Sequence, residues 1–213
     1  MTDSYKTEQE SFWAGDFGDS YVDRNRDPLR IANRTALFAG IFKRTKNITR
    51  VLEFGANIGQ NLTAIKNLIP NCAFGAIEIN DNAARSLKEM SDVRLFHGSI
   101  FDFSAADLGK YDLTLTSGVL IHINPDFLSE VYNRLYECSR EYLCIIEYYN
   151  PTPVEVNYRG HSERLFKRDF AGELLDRYPD LQLLDYGFQY HRDSNFPLDD
   201  ANWFLLKKND KAD

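Results

Sequence analysis

The chain has 213 residues, 43% of them hydrophobic and 27% charged, with a formal net charge of −7. That balance suits one soluble globular domain with a substantial core. It argues against a general nucleic-acid binder, which needs dense Lys and Arg to neutralise phosphates, and no run reaches the length of a membrane span.

The amino terminus, Met1-Thr2-Asp3-Ser4-Tyr5-Lys6, is polar and reads as no secretory signal. Cys72, Cys138 and Cys144 form no Cys-x-x-Cys pair and read as reduced, buried thiols, so the expectation is a cytoplasmic protein without a metal site. Up to Lys46 there are two helical patterns. One lies around Glu8 to Ala14; the stronger runs from Leu29 to Phe42, with Ile31, Ala32, Ala36, Leu37, Ile41 and Phe42 at helical spacing. Between them sits an aromatic and acidic stretch, Phe12 to Tyr21. Residues 1–46 are expected to form a helical lid, 47–208 the main domain and 209–213 a tail.

From Arg50 strand and helix alternate. Val51 to Phe54 is a strand, followed by a helix carrying Leu62, Ile65, Leu68 and Ile69 and stopped by Pro70. Phe74 to Ile79 is a second strand, Asp81 to Met90 a helix, Val93 to Phe96 a third strand and Tyr111 to Ser117 a fourth. Asn124-Pro125 then supplies a cap and first turn for a helix bearing Phe127, Leu128, Val131 and Leu135. Tyr142 to Ile146 is a continuous apolar fifth strand, as expected where both sheet faces are covered. A helix over Lys167 to Tyr178 precedes two strand-like runs, Leu181 to Tyr190 and Asn202 to Lys207. The loop between them is too short for a parallel crossover, so they should pair antiparallel. The whole is an α/β chain with a seven-stranded, mostly parallel sheet, an antiparallel last strand and helices on both faces.

The first strand, Gly55 and Gly59 make a strand–turn–helix unit of the kind that lets backbone N–H groups approach a ligand. An NAD-type turn wants three glycines and an uncharged approach to a pyrophosphate. Here Asn57 holds the middle glycine position and Glu53 stands beside the turn. A carboxylate there repels a pyrophosphate but can receive an ammonium group. Glu78, closing the second strand, suits two ribose hydroxyls. S-adenosylmethionine has an amino-acid end, a sulfonium and a ribose, and no phosphate.

At these residues the sequence resembles the class I (Rossmann-like) S-adenosylmethionine-dependent methyltransferases. Glu53-Phe54-Gly55-Ala56-Asn57-Ile58-Gly59 is similar to their first motif, Ile77-Glu78-Ile79-Asn80 to their acidic loop, and Phe96 to Asp102 to their adenine-contacting motif. Many members have an aspartate where this chain has Ser99; Ile100 still offers its N–H and an apolar face. Thr116 to Pro125, which includes Ser117, is similar to the motif beside the methyl donor. The strings Glu8–Tyr21, Gly118–Pro125, Glu147–His161, Lys167–Pro179 and Asp185–Trp203 resemble the pseudaminic acid biosynthesis-associated methylases, which implies a nonulosonic-sugar pathway.

Ligands of open α/β sheets lie beyond the carboxyl ends of the strands. A hydroxyl acceptor benefits from a general base, for which His122, Glu147 and His161 are candidates. Tyr148, Tyr149 and Asn150 would line the acceptor site, and Arg159 and His191 would grip an acidic sugar or its nucleotide-activated form through charged hydrogen bonds. Trp13, Tyr21 and Arg24 would fold over the cofactor. The competing readings are a cofactor-binding regulatory or scaffold subunit without catalysis, and an NAD-dependent nucleotide-sugar enzyme, which Asn57 and the antiparallel last strand disfavour.

Overall fold

The computed structural model describes residues 5–25 and 27–209, so Met1–Ser4 and 210–213 of the expected tail lie outside the described residues. One seven-stranded sheet runs through the molecule, made of β1 (Arg50–Phe54), β2 (Ala73–Glu78), β3 (Val93–His97), β4 (Tyr111–Ser117), β5 (Ser139–Glu147), β8 (Leu181–Gln189) and β9 (Ala201–Lys208). The order is β3-β2-β1-β4-β5-β9-β8. The first five strands are parallel, and β9 slots antiparallel between β5 and β8. This is the sheet that the strand spacing predicts.

Side chains alternate faces along a strand. Val51, Leu113, Cys144 and Leu205 share one core with α3 (Leu29–Phe42), α4 (Gln60–Leu68) and α5 (Asp81–Lys88). Leu52, Leu143, Ile145 and Leu206 share the other with α6 (Ala105–Leu108), α7 (Leu128–Cys138) and α8 (Phe170–Arg177). Helix α3 belongs to the core as much as to any lid, since Phe38 and Ile41 are fully buried.

Three segments differ from expectation. The stretch after Ala14 is not only a link: Gly15 separates α1 (Glu8–Ala14) from a further helix, α2 (Asp16–Arg24). The helix expected from Lys167 begins at Phe170, because the Asp169 carboxylate caps Gly172 N–H, and Phe166–Lys167 (β7) instead pairs antiparallel with Val154–Glu155 (β6). The segment 151–168 is thus an arm with a short ribbon. The helix expected to reach Met90 ends at Lys88. No helix among the described residues is long and apolar enough to cross a membrane.

Candidate functional site

A cavity of about 1090 Å³, counting its open mouth, lies at the carboxyl ends of β1, β2, β3 and β4. Its floor is the turn after β1. Gly55 has φ +69, and a Cβ there would lie 2.6 Å from Val119 Cγ2, so only glycine fits. Asn57 also takes a left-handed conformation, φ 49, which asparagine tolerates better than most residues. That is how the turn closes without a middle glycine. The turn is tied to the next strand end, because Asn57 N–H donates to Glu78 Oε2 at 2.7 Å and Asn80 N–H to Glu78 Oε1 at 2.8 Å.

Glu53 is buried at the end of β1. Asn61 Nδ2 donates to its Oε1 at 2.5 Å, and Arg34 Nη1 donates to Asn61 Oδ1 at 2.8 Å. The second Glu53 oxygen and Arg34 Nε are buried without a hydrogen-bond partner among the described residues. Burial raises the Glu53 carboxyl from its ordinary 4.5 to about 8, with Asn61 and Arg34 acting against the shift. An orphaned buried carboxylate oxygen beside an orphaned guanidinium N–H is an acceptor and a donor for one zwitterion, which the α-amino-acid end of a cofactor supplies.

Of the residues expected to hold the cofactor, Trp13, Tyr21, Glu53, Gly55, Asn57, Glu78, Ile79, Ser99, Ile100 and Ser117 line this cavity. Gly59 lies outside the lining; with φ 76 it precedes α4. Arg24 is exposed, its guanidinium over the Phe17 and Tyr21 rings at 5.5 and 5.6 Å. The Ser99 hydroxyl accepts Phe101 N–H and caps the turn Ile100–Asp102. Sequence reasoning missed Arg34, Asn61 and Asn80. The Asn80 side chain caps α5 and donates to Asp19 Oδ1 at 2.9 Å, fixing α2 to the end of β2. Helical spacing could have paired Arg34 with the buried face of α3, but nothing local linked it to Glu53.

His122 lines the cavity and is 7% exposed. Its Nδ1 is 2.5 Å from the Arg164 carbonyl oxygen, which can only accept, so Nδ1 carries the proton and Nε2 keeps a lone pair. Burial lowers its pKa to about 4, so the ring is neutral at pH 7. Trp13 and Tyr158 flank it, with ring centroids 4.6 and 5.1 Å away.

The other two base candidates sit elsewhere. Glu147 is buried outside the lining and accepts Val119, Leu120 and Ile121 N–H, so both of its oxygens hold the turn that carries His122. Burial raises it to about 7. His161 is exposed on the arm, 5.1 Å from the Phe12 ring. None of Tyr148, Tyr149, Asn150, Arg159 and His191 lines the cavity. Tyr148 packs between the two cores, Tyr149 leans on Phe204, and the Asn150 amide donates to Thr152. Arg159 stands exposed at the arm tip next to Tyr158, and His191 pairs with Asp200 at 2.8 Å in the β8–β9 loop. No group of three or more His, Cys, Asp or Glu among the described residues is arranged to hold a metal ion.

Residues 52–141 match the family described as methyltransferase domain. The chain carries an S-adenosylmethionine-dependent methyltransferase domain. Comparison with curated proteins gives no match. Among solved structures, the chain is similar to the Burkholderia thailandensis 1,6-didemethyltoxoflavin-N1-methyltransferase with bound 1,6-didemethyltoxoflavin and S-adenosylhomocysteine. The TM-score is 0.68 at 16% identity, over 98% of this chain and 94% of that one. The plantazolicin methyltransferase in complex with S-adenosylhomocysteine gives 0.65 at 15%, over 95% and 94%. The magnesium protoporphyrin IX methyltransferase of Synechocystis PCC 6803, also with S-adenosylhomocysteine, gives 0.65 at 10%, over 94% and 98%. At these identities the methyltransferase shares their fold.

Proposed function

We propose that this methyltransferase acts on a hydroxyl of a small polar acceptor in the cytoplasm, with an acidic sugar as the leading class. The observation that carries the reading is His122: a neutral imidazole in the cavity, its tautomer fixed by the Arg164 carbonyl, with a basic lone pair at Nε2 beside the Trp13 and Tyr158 rings.

S-adenosylmethionine, when bound, supplies a methyl group activated on a sulfonium. Glu53 would hold its ammonium, Arg34 its carboxylate and Glu78 its ribose hydroxyls, with Ile79, Ile100 and Val119 as apolar walls. His122 Nε2 would take the proton that the acceptor hydroxyl loses as its oxygen gains the methyl group, the methyl–sulfur bond breaking and S-adenosylhomocysteine leaving. Glu147 positions the His122 turn, and the aromatic side chains keep water out. The acceptor ring lies against Trp13 and Tyr158, and its acidic group reaches outward to Arg159 at the arm tip. The resemblance of the arm sequence to the pseudaminic acid-associated methylases supports that last assignment.

The test is S-adenosylhomocysteine formation across a panel of sugar acids, their neutral counterparts and aromatic alcohols. Turnover restricted to sugar acids, with Arg159→Ala raising KM for these and His122→Ala lowering kcat, is the expected result. Equal turnover of neutral and acidic sugars sinks the acidic assignment. Tight S-adenosylmethionine binding without turnover of any panel member would instead favour the non-catalytic reading.

A further inference from the structure

Four residues that line the cavity carry a buried side-chain polar atom without a hydrogen-bond partner among the described residues: Gln9, Arg34, Glu53 and Asn57. A buried polar atom left unpaired is costly, so such atoms mark where a ligand completes a site. Arg34, Glu53 and Asn57 belong to the cluster around the turn after β1, where the cofactor is assigned. Gln9 does not. It sits on α1, and its Oε1 is left over once the cofactor is accounted for.

The orientation of the Gln9 amide is fixed by the arm. Its Nε2 donates to the Glu163 carbonyl oxygen at 2.8 Å; that oxygen can only accept, so the amide cannot be turned over and the unpaired atom is an acceptor. Gln9 is 6% exposed. Glu163 is itself held in place: its backbone is left-handed, φ 55, and its N–H donates to Glu155 Oε1 at 2.6 Å. The next carbonyl, that of Arg164, is the one that sets the His122 tautomer. Two consecutive carbonyls of the arm thus orient two side chains of the lining, and both are left as acceptors, His122 through Nε2 and Gln9 through Oε1. Trp13 follows Gln9 by four residues, on the same side of α1, and its ring lies 4.6 Å from that of His122. The two acceptors therefore border one part of the cavity, away from the cofactor cluster.

We propose that Gln9 is a specificity-determining residue: its Oε1 accepts a hydrogen bond from a second O–H or N–H of the acceptor molecule, while the hydroxyl to be methylated faces His122. Resting on the role proposed for His122, this assignment narrows the substrate class to molecules with at least two donor groups, as on a polyhydroxylated ring, and excludes monohydroxy alcohols.

The test uses the full chain, S-adenosylmethionine, the panel acceptor of highest turnover, and analogues of that acceptor that each lack one O–H or N–H. Wild type should turn over one analogue at least about tenfold less well in kcat/KM than the parent, because that analogue leaves Oε1 unpaired. Gln9→Met, similar in length but without the amide, should treat that analogue and the parent alike. A merely structural role would lower both together and leave their ratio unchanged. S-adenosylhomocysteine affinity should be retained, which also shows that the variant is folded. Should Gln9→Met not fold, Gln9→Lys makes the same comparison, since it keeps a donor for the Glu163 carbonyl and offers no acceptor. A tenfold loss of S-adenosylhomocysteine affinity in a folded variant hands Oε1 to the cofactor and overturns the proposal. So does a monohydroxy alcohol as the acceptor of highest turnover, a wild type indifferent to every analogue, or a ratio that survives the substitution. Turnover of no panel member defeats the hydroxyl reading of His122 itself, and the role of Gln9 falls with it.

Discussion

The two halves of the cavity are built in opposite ways. The donor half is made by consecutive strand ends and the turns that leave them, with Glu78 joining two of those turns through backbone N–H groups. The half proposed for the acceptor, around His122, is bordered by segments far apart in the chain. Gln9 on α1 donates to the Glu163 carbonyl across 154 residues, Phe17 lies 5.7 Å from Tyr158, and His122 leans on the Arg164 carbonyl. A half built from local turns is rigid and written in short motifs. A half built from distant pieces depends on tertiary packing, and it is where a family of shared fold varies its acceptors.

The largest expected effect separates the halves outright. His122→Ala should lower kcat by about 10²–10⁴-fold, the usual contribution of a positioned base, and leave S-adenosylhomocysteine affinity nearly unchanged by calorimetry. Because burial holds the imidazole pKa at about 4, the acid limb of the wild-type pH–rate profile should lie well below the ordinary histidine value of 6.5. A parallel loss of cofactor affinity would move His122 into the donor half.

Glu53→Gln tests the donor half in return. Losing a charged hydrogen bond of about 1.5–3 kcal/mol should weaken S-adenosylhomocysteine binding roughly 10–100-fold. Glu53 is raised from 4.5 to about 8 without a ligand, so it is protonated at pH 7 and must shed that proton to accept an ammonium. Binding at pH 7 should therefore release close to one proton, measured by calorimetry in buffers of different ionisation enthalpy, and affinity should rise with pH up to about 8. The Gln variant should release none. The sign for stability is opposite. A raised carboxyl makes the folded state bind more protons than the unfolded one between about pH 4.5 and 8, so the ligand-free protein should lose stability as pH rises through that window. Glu53→Gln should flatten the slope.

This contrast also explains what was legible in the sequence. All seven strands and the antiparallel last pair followed from apolar runs and a loop too short for a crossover. Ten of the positions expected to hold the cofactor line the cavity, most of them in strand-end turns whose pattern, such as Glu53-Phe54-Gly55-Ala56-Asn57, is local in sequence. Arg34 was not, since only the packing of α3 on α4 brings it to Asn61. The acceptor residues were placed by nearness in sequence to the end of β5. Yet neither Tyr149 nor Asn150 lines the cavity, and the arm instead brings the Tyr158 ring against His122, which does. Glu147 looked like a base because it is an acid at a strand end; three backbone N–H groups, invisible in sequence, tie its oxygens to the 119–121 turn, outside the cavity lining.

The smallest expected effect concerns what closes the acceptor half. The Glu8–Arg164 pair joins α1 and the arm at 3.0 Å, but the Glu8 side chain is 78% exposed, where such pairs contribute little. The same junction carries ring contacts: Phe12 with Phe17 at 4.1 Å, Phe17 with Tyr158 at 5.7 Å, and the Arg164 guanidinium over Phe12 at 5.4 Å. Aromatic pairs contribute about 0.5–1.5 kcal/mol each beyond their buried area, and even between half-buried rings such as these they do not weaken with salt as an exposed ion pair does. Glu8→Gln should therefore leave proteolysis of the 158–164 segment and its salt dependence almost unchanged, whereas Phe17→Ala should speed cleavage several-fold at any ionic strength. Equal effects of the two substitutions would mean that the arm is latched by charge, and the acceptor half would then open and close with salt instead of with the packing of its rings.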